Sequence, residues 1–243
     1  MTTPAYTELV TAIRREGESI LASGQQDLDL PVPTCGDWRM RDLLVHVGRV
    51  YSRAAKAVAE RATGQLDLPT EPDPSVDAVE FFREHLDELV DILGSADATT
   101  PVWNAWPVPD EAAFWARRMA HESAVHRYDA QRAHGLAQPI DADLASDGMD
   151  ELVDLVLDRV VQRDAPTLPT GTFHFIATDG SEWVVRCADD KVERQSAPRN
   201  VDVTITGPAS AVLLAAYGRV KWASLETSGD ESLLAEWSRA FRF

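Results

Sequence analysis

The sequence predicts an α+β protein in which an antiparallel four-helix bundle is followed by a small α+β unit. Two observations predict it. Apolar residues recur at helical spacing as far as Arg163. After Pro166 the period of alternation falls from about 3.6 to about 2 residues. At 243 residues the chain suits one large domain or two small ones and buries a real core. The clearest linker, residues 164–170, divides it into 1–165 and 166–243.

The first helix is read over residues 4–23, from Leu9, Val10, Ile13, Ile20 and Leu21 opposite a polar face. Pro31 and Pro33 interrupt it, and Asp37 is placed as the N-cap of a second helix from about Trp38 to about Arg61. On that helix Val47, Val50, Tyr51 and Ala54 form an apolar stripe with Leu43, and His46 falls at its border, roughly 60° from Leu43. Residues 65–74 are rich in Pro and Asp and read as a loop. The third helix, Ser75 to Ser95, has an acidic face that reads as solvated surface. The connection from Thr99 to Pro109 carries Trp103 and Trp106, which cap a core or wall a pocket. A fourth helix runs from Asp110 to His134 and stops at Gly135, and a fifth covers Asp143 to Arg163.

The second unit begins with alternating strands at Thr172–Thr178 and Glu182–Cys187, joined by an Asp179-Gly180 hairpin turn. Lys191–Gln195 reads as a short edge strand and Val201–Thr206 as a further strand. Gly207-Pro208 opens an apolar helix over Ala209–Tyr217, and Asp230 caps a last helix through Ser238.

A net charge of −17, from 40 acidic and 23 basic residues, disfavours nucleic acid and anionic lipid as partners. Residues 1–163 carry 29 acids and 15 bases, so most of the excess lies in the bundle. An anionic small molecule then binds only where arginines or a metal reverse the local field. No leader and no bilayer-length apolar run is read in the chain, and Cys35 and Cys187 form no metal or redox spacing. A reduced, cytoplasmic protein is expected. No coiled-coil seam stands out, so a monomer or weak homo-oligomer is expected.

Potential chemistry concentrates in Arg117–Gln131, RRMAHESAVHRYDAQ. Glu122 and His126 are four apart and stack on one helix face, so together they can grip a divalent ion. His121 invites comparison with the HExxH zinc-protease pattern, but it lies five residues from His126, roughly 140° around the helix, and cannot share the ion. His85 and His134 read as exposed, and His174 falls in the other unit. His46 is thus the imidazole available as a third ligand, and a hydrogen-bonded core role stays open for it on the residues alone. Asp129 either orients His126 or pairs with Arg127 or Arg132. Arg118 meets a substrate carboxylate or forms a surface salt bridge. A site with three protein ligands leaves a position for water or substrate, which is a catalytic arrangement.

Taken together, PTCGDWRMRDLLVHVGRV (33–50), WARRMAHESAVHRYDAQ (115–131), ATDGSEWVV, DVTITGPAS and YGR resemble the mycothiol-dependent maleylpyruvate isomerase family. The resemblance covers nearly the whole chain and implies a DinB-like metal-binding bundle followed by a sterol-carrier-like domain. It implies His46, Glu122 and His126 as metal ligands, with zinc the expected ion, although this donor set also accepts nickel, cobalt or iron. It implies mycothiol as the thiol cosubstrate and cis–trans isomerisation of maleylpyruvate as the reaction. Arg219, in Tyr-Gly-Arg, matches an assisting arginine, with Arg118 the second candidate. The sequence departs from the family at Cys35-Gly-Asp-Trp, where many relatives carry proline; this bears on the helix cap. Two alternatives stand beside the isomerase: a mycothiol S-transferase or detoxifying enzyme with another small electrophilic or anionic acceptor, and a non-catalytic ligand carrier.

Overall fold

The computed structural model describes residues 4–67, 69–73 and 75–243. The chain forms two compact units, Pro4–Gln138 and Pro139–Phe243. The division falls well before the linker at 164–170 that the sequence suggests. The cause is the fifth helix, which packs on an apolar helix of the second unit instead of closing the bundle.

The first unit contains α1 (Tyr6–Gly24), α2 (Met40–Ala59), α3 (Ala78–Ser95) and α4 (Ala112–Ala133). Its core is built by residues at helical spacing: Ile13 and Ile20 of α1, Leu43, Val47 and Tyr51 of α2, Phe82, Leu86 and Leu89 of α3, and Met119 of α4. Pairings along the helices give their directions. Glu16 meets Arg127 and Ser23 meets His134, so α1 and α4 run parallel. Tyr6 reaches Leu93 and Arg14 reaches Asp87, so α3 runs opposite to α1. The α2 helix also opposes α4, because His46 lies beside His126 while Tyr51 bonds Ser123. The order is therefore up–down–down–up. Parallel α2 and α3 require a connection long enough to return along the bundle, about 30 Å for a helix of this length. The Pro- and Asp-rich segment supplies it, and Arg49 of α2 holds it by donating from Nε to the Pro69 carbonyl at 2.8 Å.

Helix starts differ from the sequence expectation where capping chemistry decides. The second helix begins at Met40, and Asp42 rather than Asp37 closes its start by accepting from the Arg39 N–H at 2.7 Å. The third begins at Ala78, with Asp77 accepting from the Val79 and Glu80 N–H groups. His85 and His134, expected to be exposed, are half-buried, paired with Glu88 and with the Ser23 carbonyl respectively.

The second unit opens with α5 (Ala142–Glu151), which continues through a π-helical turn at Leu152–Val156 into α6 (Leu157–Asp164). The π turn inserts into what the periodicity predicts as one regular helix. Asp150, just before that turn, and Asp154, within it, both pair with Arg194 at 2.8 Å, and Asp150 also accepts from the Trp183 indole.

A five-stranded sheet follows, from β1 (Gly171–Ala177), β2 (Glu182–Ala188), β3 (Lys191–Gln195), β4 (Val203–Gly207) and β5 (Glu226–Gly229), in the order β3-β2-β1-β4-β5. The β1–β4 pair is parallel and the other pairs are antiparallel. Phe173, Phe175, Val185, Val203 and Ile205 share its buried face, against Trp237 of the last helix.

Two helices complete the unit, α7 (Ala209–Ala216), buried almost throughout, and α8 (Ser232–Ala240). Sequence patterning did not reveal β5, whose residues Glu-Thr-Ser-Gly carry no apolar alternation. Its end is set by backbone proximity: a Cβ on Gly229 would lie 2.2 Å from the Asp202 carbonyl oxygen. Among the described residues no helix is long and apolar enough to cross a membrane.

One ion pair ties α1 to α4 inside the bundle. Arg127 donates from Nε to Glu16 Oε2 at 2.7 Å, with both side chains at most 6% exposed. Removing one member strands the other charge in the core. Glu16→Ala is expected to destabilise the bundle by about 3–5 kcal/mol, read as a lower urea midpoint with an unchanged slope.

Candidate metal centre

Helix α4 presents Glu122 and His126 one turn apart, and α2 brings His46 opposite them. Glu122 Oε1 lies 3.4 Å from His46 Nε2 and 3.2 Å from His126 Nε2. A four-coordinate ion with bonds of about 2.0–2.1 Å separates its ligand atoms by about 3.3–3.4 Å. The donor atoms of all three residues lie within 4.8 Å of one another. This set therefore fits a divalent ion of zinc size.

Access to the site is graded. The His46 side chain is 32% exposed, Glu122 13% and His126 10%, so solvent reaches the three side chains mainly from the His46 side. This agrees with the border position of His46 on its helical wheel. The Trp38 ring lies 4.8 Å from the His46 ring and limits its swing. On the other side His126 Nδ1 is 2.9 Å from Asp129 Oδ2, and Asp129 is wholly buried. That contact occupies Nδ1 and leaves Nε2 to face Glu122, the usual arrangement for a metal-binding imidazole. Of the partners open to Asp129 on sequence grounds, His126 is realised, and Arg127 reaches Glu16.

The charges are coupled. Burial opposes ionisation of Glu122, but the Arg118 guanidinium on Oε2 and the imidazoles of His126 and His46 outweigh it and hold the carboxyl well below the usual carboxylate range. Burial likewise opposes charging of His126. Bonds to Asp129, Cys35 and Glu122 reverse that and hold the imidazole well above its ordinary value. Both shifts favour a carboxylate facing a protonated imidazole.

A second group, Cys35, His126 and Asp129, also places its donors within 4.8 Å of one another. Cys35 Sγ donates to Asp129 Oδ2 at 3.4 Å. Spacing along the sequence gave no hint of this, since Cys35 and Asp129 are 94 positions apart. His126 and Asp129 are buried in this group, so it offers less room for an incoming substrate than the His46 crevice. Tyr51 and Ser123, whose hydroxyl oxygens are 2.6 Å apart, lock α2 to α4 directly behind the ligands. Neither was singled out from sequence, although Ser123 adjoins Glu122. His121 is 2% exposed and belongs to neither donor group, as its spacing predicts.

Of the two arginines considered, Arg118 is at the site, bound to Glu122. Arg219 lies in the second unit just after α7, where it donates to the Tyr217 carbonyl at 2.9 Å and the Phe243 carbonyl at 3.2 Å.

Comparison with known proteins extends this description. Residues 10–131 match the mycothiol maleylpyruvate isomerase N-terminal domain, and residues 143–236 match the C-terminal domain of the same family. Two solved structures share the fold. One is a mycothiol-dependent maleylpyruvate isomerase at 13% identity, the other a histidine-to-alanine mutant of such an enzyme at 12%. Each gives a TM-score of 0.67 and covers 94% of this chain and 96% of its own. No curated protein matches the chain. With both family domains matched in order over most of its length, the chain belongs to the mycothiol maleylpyruvate isomerase family of enzymes.

Proposed function

We propose that this protein is a divalent-metal- and mycothiol-dependent isomerase of the maleylpyruvate type, with zinc held by His46, Glu122 and His126. The observation that carries the reading is the meeting of these three side chains, from two antiparallel helices, at the spacing an ion requires. A metal there supplies the positive charge that keeps a thiol cosubstrate ionised at neutral pH.

The protein's own groups have distinct tasks in this reading. Asp129 fixes the ring of His126, and Tyr51 with Ser123 fixes the distance between the two helices. Arg118 keeps Glu122 ionised and positioned. The crevice beside His46 admits thiol and electrophile together. Attack of the thiolate forms a carbon–sulfur bond and moves the π electrons of the alkene onto the conjugated carbonyl oxygen. Rotation then occurs about the new carbon–carbon single bond. Return of the electrons expels the thiolate and restores the alkene in trans geometry, with no net proton transfer. Arg118 is the cation at the cluster available to the developing oxyanion, and Arg219 is kept as the assisting arginine that the family resemblance implies. The compartment that suits this chemistry is the reducing cytoplasm. Both cysteines are free thiols, and burial pushes Cys187 up to about 12, which makes it inert.

Metal analysis and a thiol-dependence assay test the reading together. Protein purified without chelator should carry about one zinc per chain and convert maleylpyruvate only when mycothiol is present. Epoxides and alkyl halides serve as the arms for an S-transferase. His46→Ala, Glu122→Ala and His126→Ala should each lose bound metal and turnover together; retention of both in any of the three removes that ligand from the assignment.

The assignment of Asp129 gives a separate expectation. Asp129→Asn should weaken zinc affinity by about 10–100-fold while leaving the protein folded, as read by competition with a chromogenic chelator. Unchanged affinity contradicts an orienting role.

The charge state of the ion-free site sets a pH dependence. His126 is raised, so at neutral pH it binds a proton that the metal must displace, whereas Glu122 is depressed and has none to lose. Apparent zinc affinity should rise with pH across the neutral range, by about tenfold per unit for this one proton. Calorimetry in buffers of different ionisation enthalpy should show proton release on binding. A pH-independent affinity would mean that His126 is already neutral.

A further inference from the structure

Arg53 has no role in the account so far. It lies on α2 seven residues after His46, which returns it to the same helix face, about 20° away and about 10 Å further along the axis. Long side chains on a helix lean back toward its N-terminus, so the Arg53 guanidinium extends toward His46. Because α2 and α4 are antiparallel, moving from His46 to Arg53 along α2 is moving from His126 and Glu122 toward Arg118 along α4. Two guanidiniums therefore approach one end of the ligand cluster from opposite helices.

Their circumstances differ. Arg118 is bound to Glu122. The Nε–H of Arg53 is buried and has no hydrogen-bond acceptor, and among the described residues no carboxylate lies within ion-pair range of its guanidinium. Such a donor on a half-buried cation costs stability when left unsatisfied. The electrostatics agree with its placement. Burial lowers the Arg53 pKa, the Glu122 carboxylate raises it, and the Arg118 guanidinium lowers it again. A cation in this position, in a chain of net charge −17, is a local reversal of the field that an anionic substrate needs.

We propose that Arg53 is the carboxylate-binding residue of the site: it receives a carboxylate of the electrophile and sets the reacting double bond beside the metal-binding cluster. The proposal deepens the metal-centred reading above. A planar guanidinium with free N–H groups matches a carboxylate and gives it a fixed orientation, which a lysine does not. Among the described residues Arg53 is the cation at this end without an acceptor for its Nε–H, which suits a singly charged carboxylate better than a phosphate dianion. Specificity for acidic electrophiles over neutral ones follows from this one contact.

The test is calorimetric titration of maleate, a cis-dicarboxylate, into zinc-loaded wild type, Arg53→Met and Arg53→Lys. Inorganic phosphate serves as the competing anion. Wild type should bind maleate in preference to phosphate. Arg53→Met should lose at least about tenfold in maleate affinity with zinc content unchanged, and Arg53→Lys should recover part of it. Equal affinity in wild type and Arg53→Met, no maleate binding by wild type, or preference for phosphate overturns the proposal.

Thermal melting of the ligand-free proteins gives an independent reading. A cation kept for a ligand is a stability cost, so Arg53→Met should melt at or above the wild-type temperature. A clear drop assigns Arg53 to structure and overturns the proposal. Failure of the isomerase reading is separable: wild type would then bind maleate through Arg53 yet leave maleylpyruvate unchanged. Conversely, turnover with a KM for maleylpyruvate that Arg53→Met does not alter sinks the Arg53 assignment and leaves the isomerase standing.

Discussion

The arrangement of the bundle rests on one electrostatic constraint, a buried carboxylate that must stay ionised between two imidazoles. Glu122 is 13% exposed, and without compensation burial alone would neutralise it. Arg118 on one oxygen and His46 and His126 on the other provide that compensation. Each partner then makes its own demand. His126 needs Asp129 behind it, and His46 needs α2 held at a fixed distance from α4, which the Tyr51–Ser123 bond and the surrounding apolar stripe provide.

Up–down–down–up order is the topological counterpart. With α1 and α4 parallel, the ion pair of Glu16 and Arg127 can form between neighbouring faces deep in the core, on the side of α4 away from the ligands. The α4 helix is consequently buried on most sides, and Glu122, Ser123, His126 and Arg127 each meet a specific protein partner. This explains why its sequence lacks a clean amphipathic stripe: one face holds a structural charge pair and the other holds the donor set.

Much of this was legible in the sequence. The helical stripes of α1 to α4, the alternation of β1, β2 and β4, and the Glu122–His126 spacing are periodic signals, and periodicity survives translation into structure. The exclusion of His121 rests on helical geometry, and His121 belongs to neither donor group. Arg219 was identified only by a three-residue motif, and its carbonyl contacts lie in the second unit. What the sequence could not carry was long-range contact. Cys35 reaches Asp129 across the chain, Trp38 packs on His46 from a loop, and Asp42 replaces Asp37 as the closing residue because backbone geometry, not residue type, selects the cap. The boundary at Gln138–Pro139 was hidden for a similar reason, since an amphipathic helix does not declare which core its apolar face joins. Strand β5 has no pattern of its own and exists through pairing with β4.

Two overlapping donor groups share His126, and only one can hold an ion through Nε2 beside an open crevice. X-ray absorption at the zinc edge distinguishes them most directly. With His46, Glu122 and His126 as ligands, the first shell contains only nitrogen and oxygen, at about 2.0–2.1 Å. A sulfur scatterer at about 2.3 Å that disappears in Cys35→Ser would instead place the ion between Cys35, His126 and Asp129, and would contradict the central claim.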